Sequence, residues 1–228
     1  MKKNCNLRLF PLVLVLLFSD SCVSTKRYTS FTKEKVWELQ KTSQVTQKLD
    51  YLEIRTDSLI VQDSLIKVQK LKSFFIPAIF YWQSEHSLKC ELSPKVPVRF
   101  FEQEFMRLAD SADLKSKLNG QKIELSILQI PNSFVYTHKE KTIIFIVAYI
   151  VSSLEAIYPD NKELKIRYRI VENDENKKTG IITIPNTELP IKNVWKSSKK
   201  FTWVYLDKYK KINEKTAKDV FENLIILF

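Results

Sequence analysis

Two histidines, one internal cysteine and several runs of cations are the residues through which this chain could do chemistry. His86 and His138 are far apart in sequence and do not form the pair one helical turn apart that zinc hydrolases use. Cys90 follows His86 by four positions, so on a strand the two would share a face, and a thiol beside an imidazole can serve as a nucleophile. A buried, inert thiol accounts for the same residue, because a lone cysteine in an oxidising compartment is safest away from solvent. Ser87 sits in no Gly-x-Ser-x-Gly elbow, the usual cue for a serine hydrolase. Glu102 and Glu104 would point to different faces of one helix and offer no paired-carboxylate geometry.

The cations suggest binding instead. Lys165, Arg167 and Arg169 alternate with apolar residues and would line one face of a strand over about 14 Å. Such a stripe could hold phosphates or an acidic partner, but a solvated sheet face is the favoured reading. In the segment 195–211, Trp195, Phe201, Trp203, Tyr205 and Tyr209 interleave with six lysines, Lys199 and Lys200 among them. Aromatic rings at headgroup depth with ammonium groups on phosphates would suit a membrane interface. Core packing behind a lysine-rich outer face is the competing explanation. Lys165, Arg167, Arg169, Lys199, Lys200 and Trp203 are therefore the candidate contacts for an anionic partner.

Other chemistry is removed by composition. Gly120 and Gly180 are the only glycines, so neither a phosphate-cradling loop nor a dinucleotide fingerprint can be built. No cofactor and no metal site is expected. The formal charge of +11 favours anionic partners such as lipid headgroups or acidic protein faces. Nucleic acid would match the charge but not the compartment argued next.

Lys2, Lys3 and Arg8 make a positive start, and residues 9–18 are apolar throughout. Ten residues are too few to span a bilayer, which takes about 20, but they suit the hydrophobic region of an export signal. By its residues alone the leader also fits an ordinary secretory signal or a short uncleaved anchor. The stretch Phe18-Ser19-Asp20-Ser21-Cys22 resembles the lipobox of bacterial lipoproteins, in the loose form where serines replace the usual Ala and Gly; Asp20 departs from the stricter pattern. That resemblance implies cleavage before Cys22, a diacylglycerol on its thiol and acylation of the new amino group. Two or three acyl chains would hold the protein on a membrane, where one binds only reversibly. Removing residues 1–21 takes away three basic residues and one acidic one, leaving +9.

The elements that must position the candidates follow from periodicity. Residues 22–48 are polar and mixed in charge, with Val36, Trp37, Leu39 and Val45 scattered, and are expected to form a lipid-anchored tether, helical in part and able to dock. In 50–72, Leu49, Leu52, Leu59 and Ile66 fit a coiled-coil seam that Thr56 and Asp63 interrupt. Alternation at 52–55 and 66–69 favours strands. The apolar run 74–82 contains Pro77, which marks an edge or strand end. A helix follows Pro94 and Pro97, carrying Phe101, Phe105, Leu108, Ala109 and Ala112 as far as Asn119-Gly120. Ile123, Leu125 and Ile127 alternate as a half-buried strand, and the apolar stretch 143–151 predicts a central strand covered on both faces. Residues 164–184 read as a hairpin with a long polar turn over 173–178. A second helix closes the chain through Tyr205, Tyr209, Ile212, Thr216, Val220, Leu224 and Leu227.

This order predicts an α+β fold over 49–228, an antiparallel sheet of about five to seven strands with two helices on one face. The topology of 74–228 resembles the small auxiliary lipoproteins of envelope transport and lipopolysaccharide assembly. Because it rests on element order, it transfers no site residue. The anchor, the basic charge and the missing catalytic motifs lead to the expectation of a non-enzymatic accessory or binding component in envelope assembly or transport, on the periplasmic side of the outer membrane, surface exposure remaining open. Its partners would be the membrane through Cys22 and an envelope protein or anionic lipid. The alternatives are an anchored hydrolase acting on cell-wall or surface material, and a structural surface or adhesion protein.

Overall fold

The computed structural model describes residues 23–42, 49–56, 59, 64–78, 80–145, 148–173 and 175–228. The leader and Cys22 lie outside the described residues. In chain order the elements are α1 (Thr25–Thr42), β1 (Leu52–Arg55), β2 (Ile66–Pro77), β3 (Tyr81–Leu92), α2 (Lys95–Ser111), α3 (Leu114–Leu118), β4 (Lys122–Gln129), β5 (Ser133–Ile144), β6 (Tyr149–Pro159), β7 (Leu164–Glu172), β8 (Glu175–Ile184), β9 (Ile191–Lys192) and α4 (Ser198–Ile225). The α+β class expected from the sequence is the one observed. The strands divide between two sheets, ordered β1-β4-β7-β8 and β2-β3-β5-β6-β9. Every pairing is antiparallel except β1 with β4.

Pro97 falls in the first turn of α2, where the missing N–H has no helical partner to lose. The predicted single helix is broken at Asp113, whose φ of 45° is left-handed, a conformation Asp and Asn tolerate better than other side-chain-bearing residues. The chain restarts as α3, burying Leu114 and Leu118 one turn apart. Asn119 and Gly120, both at positive φ, then stop it at the expected place. In α4 the side chain of Ser197 accepts the Lys200 N–H at the first turn, which satisfies one of the four amide donors a helix start leaves free.

The four-stranded sheet is half-buried in strict alternation. Ile123, Leu125 and Ile127 of β4 and Leu164, Ile166, Tyr168 and Ile170 of β7 turn inward. They meet Phe101, Phe105 and Ala109 of α2 and Ala217, Val220, Phe221 and Leu224 of α4. Phe105 stacks on Phe101 at 5.7 Å and meets Phe221 edge-on at 5.5 Å. Gly180 of β8 lies under the Tyr168 ring, where an added Cβ would come within 2.7 Å of two ring carbons, so the ring occupies the space a side chain would need. The β7–β8 turn is shorter than the polar run suggested: Glu172 already pairs with Glu175, and Asn173, at φ 53°, supplies the left-handed residue a tight hairpin requires.

A second core lies against the five-stranded sheet. Leu88, Cys90 and Leu92 of β3, with Phe134 and Tyr136 of β5, pack on Phe201, Tyr205, Leu206 and Tyr209 of α4 and on Tyr28, Phe31, Val36 and Leu39 of α1. Thus α1, in the segment expected to be a tether, is docked on the body. The Tyr28 hydroxyl accepts from Thr202 and the Trp203 indole donates to the Phe31 carbonyl at 2.9 Å. Both α2 and α4 contribute to both cores; α4, 28 residues long, spans about 42 Å at 1.5 Å per residue.

Residues 143–151 do not form the expected central strand. They hold the end of β5 and the start of β6, with Ile144 and Tyr149 in register and the Phe145 N–H donating to the Ala148 carbonyl, and Ile150 and Val151 are exposed. A continuous apolar run is normally covered on both faces because helices flank it. Here the apolar residues that α1 and α4 cover lie at the opposite end of the strands. No helix among the described residues is long and apolar enough to cross a membrane.

Candidate functional site

The cationic candidates are not brought together. Lys165, Arg167 and Arg169 point outward from β7, opposite its buried positions. Their field is partly neutralised: Lys165 pairs with Glu163 at 3.3 Å, and Arg169 lies 3.5 Å from Glu124, which Arg55 also approaches at 3.5 Å. Arg167 stays exposed. Lys199 and Trp203 belong to the seam between α1 and α4 at the other core. The Lys199 ammonium lies 4.4 Å from the Trp203 ring centroid and 2.8 Å from Glu34. Lys35 approaches the same ring at 5.7 Å and pairs with Asp207 at 3.0 Å. Phe201, Tyr205 and Tyr209 are core residues, Lys200 is exposed, and Trp195 stands out at 95% exposure.

The histidines are closer than their sequence separation suggests. His86 and His138 are register partners on β3 and β5, flanked by Ser73 at 2.9 Å from His86 Nδ1 and Ser153 at 3.0 Å from His138 Nε2. Partial burial lowers the His86 pKa from its usual value, with Lys70 and His138 adding repulsion. Among the described residues no group of three His, Cys, Asp or Glu could hold a metal ion. Cys90 shares the His86 face of β3 as expected, but it is wholly buried and burial pushes its thiol far up, which suppresses the thiolate that nucleophilic chemistry needs. Glu102 and Glu104 separate as predicted: Glu104 forms an ion pair with Arg107 at 2.6 Å, while burial raises the Glu102 pKa.

A cavity of about 90 Å³ opens beside α4, lined by Ser133, Asp160, Glu188, Tyr209 and Asn213 among others. Pockets for drug-sized ligands hold roughly 300–1,000 Å³. Several of its polar groups are engaged: Ser133 donates to Asp160 at 2.7 Å and Tyr209 donates to the Pro131 carbonyl at 2.7 Å, while the buried Glu188 Oε2 meets Lys208 as an ion pair at 3.2 Å but accepts no hydrogen bond. Burial pushes the Tyr209 hydroxyl far up, which keeps it a donor.

The feature that the sequence reading missed is the free end of the five-stranded sheet. The β2–β3 and β5–β6 turns lie side by side there, joined where the Ile144 N–H donates to the Phe80 carbonyl at 2.8 Å. Phe75, Ile76, Phe80, Phe145, Ile150 and Val151 are each at least half exposed at this end. Behind them on the outer face sit Lys72, Lys139 and Lys141. Lys72 and Lys139 share Glu85 at 3.2 and 3.6 Å, and Lys141 lies 5.5 Å from the Tyr81 ring. The available signal was that 74–82 and 143–151 are two uninterrupted apolar runs of hairpin length, each with room for a turn.

Comparison with known protein families, curated proteins and solved structures finds no match to this chain.

Proposed function

We propose that this chain is a lipid-anchored component of the bacterial envelope, non-enzymatic, that binds a protein or lipid partner during assembly or transport. The observation that carries the reading is the exposed apolar end of the five-stranded sheet. Six apolar residues gather at this end, and an apolar patch rimmed by polar residues marks an interaction surface. The export-type leader and Cys22 support an address outside the cytoplasm, anchored by acyl chains on the periplasmic side of the outer membrane. The positive charge of the chain supports an anionic partner.

Mass spectrometry of the mature amino terminus tests the anchor, with a diacylated, amino-acylated Cys22 expected and an intact unmodified start overturning it. Fractionation of Cys22→Ala should move the protein from the membrane to the soluble periplasm. Affinity purification from detergent-solubilised membranes tests the binding role. Recovery as a bare monomer, without lipid or protein, would count against it.

A further inference from the structure

We infer that the paired hairpin turns at the free end of the five-stranded sheet insert shallowly into an anionic lipid bilayer. This deepens the proposed function by naming the partner of the exposed apolar surface as lipid.

The order of residues along the strands is the first argument. Outermost come Phe80 and Phe145, both exposed; the exposed Ile150 lies level with Ile143, and the exposed Ile76 lies level with Gln83. Tyr81 and Trp82 follow, register partners of Ile143 and Thr142. Lys141, opposite Gln83, and Lys139, opposite Glu85, come next. Apolar, then amphipathic aromatic, then cationic is the layering of a membrane–water boundary read from hydrocarbon to headgroup. The dimensions agree. From Ile143 to Lys141 is two residues, about 7 Å along a strand, within the roughly 5–10 Å to which interfacial elements penetrate.

Backbone satisfaction is the second argument. A polar backbone group carried into lipid without a partner is costly, and irregular turns are ordinarily excluded for that reason. At this end the Ala78 N–H donates to Tyr81, the Ile144 N–H to Phe80 and the Phe145 N–H to Ala148, all between 2.7 and 2.8 Å. The third argument is charge. On the outer face Lys72, Lys139 and Lys141 stand against Glu85, and with Glu140 on the other face at the same depth a net positive charge remains where anionic headgroups would lie. The stem of each lysine can run along the apolar surface while its ammonium reaches the phosphates.

The test uses the chain from residue 22 onward with Cys22→Ser, which keeps every described element and carries no acyl group. Vesicles of phosphatidylethanolamine and phosphatidylglycerol are compared with phosphatidylcholine alone, by flotation and by quenching of tryptophan emission with brominated lipids. Binding to the anionic vesicles is expected, with a quenching component that Trp82→Phe abolishes. The double variant Phe80→Ser/Phe145→Ser should weaken partitioning roughly tenfold or more, and Lys141→Gln should reduce its salt dependence. Absence of binding, binding indifferent to the double variant, or a dimer in light scattering that the double variant dissolves would each overturn the inference. If the double variant fails to fold, the Trp82 component in the otherwise unaltered chain decides. None of these outcomes depends on acylation, so a negative result here is separable from failure of the Cys22 anchor.

Discussion

The two sheets are built from similar side chains but end differently. In the four-stranded sheet, strands of no more than ten residues lie under α2 and the second half of α4, and nearly every inward apolar residue of β4 and β7 is buried. In the five-stranded sheet, β2, β3 and β5 run for 12 residues, about 40 Å. Their base packs on α1 and α4, while their far end carries Phe75, Phe80 and Phe145 into solvent. Helix coverage, rather than the apolar character of the strand, decides what is buried. The uncovered length is where a function can reside.

The contrast predicts a hierarchy of effects. Phe105→Ala empties the centre of the covered sheet and should cost about 3–5 kcal/mol, measured by denaturant unfolding; a loss below 1 kcal/mol would mean that this core repacks freely. Because α2 and α4 serve both cores, fluorescence and circular dichroism should report one shared transition. Asn132→Ala removes the side-chain donor to the Leu92 carbonyl, made at 2.7 Å in a buried site where β3 and β5 begin their pairing. It should cost about 1–3 kcal/mol. Phe80→Ser at the uncovered end should shift stability by no more than about 0.5 kcal/mol, and a large loss there would show the end to be covered after all.

The smallest effect should be that of pH, at the boundary between the buried base and the free end. The pKa of His86 is lowered in the folded chain by partial burial, then by Lys70 and His138, so the folded state favours the neutral ring. Its contribution is fully present above the ordinary imidazole range near 6.5 and is lost as pH falls through the lowered folded value. Thermal midpoints measured from pH 7.5 to pH 5 should therefore decline more steeply in the native chain than in His86→Gln. Equal slopes would assign the acid sensitivity elsewhere.

Much of the fold was legible because half-buried elements write their period into the chain. The alternation of Ile123, Leu125 and Ile127 and of Leu164, Ile166, Tyr168 and Ile170 is the alternation of burial. The seam of α4 was read nearly correctly, with the buried line passing through Asn213 and Ala217 instead of Ile212 and Thr216. Helix α1 was legible in part. Tyr28 and Phe31 complete a helical spacing with Val36 and Leu39, but without them the segment looks scattered, and Trp37 proves exposed. Division into two sheets was not legible, since the parallel pairing of β1 with β4 joins residues some 70 positions apart, which no local period encodes. The free end was misread because an apolar run states only that water is avoided, and it does not say whether protein or something else provides the shelter. Of the basic candidates, the sequence located the cations but not the carboxylates that fold back onto them.

One irregularity has a protective effect. β2 is an edge strand, paired only with β3, and its register slips between Lys70 and Lys72, leaving Leu71 without a partner. A straight, twelve-residue flank of unpaired amides would template the addition of another chain and seed fibrils. A slip of this kind bends an edge strand and lysines along it disfavour pairing with a second copy, so the shift at Lys70/Lys72, with Lys67 and Lys70 beside it, works against growth along that side.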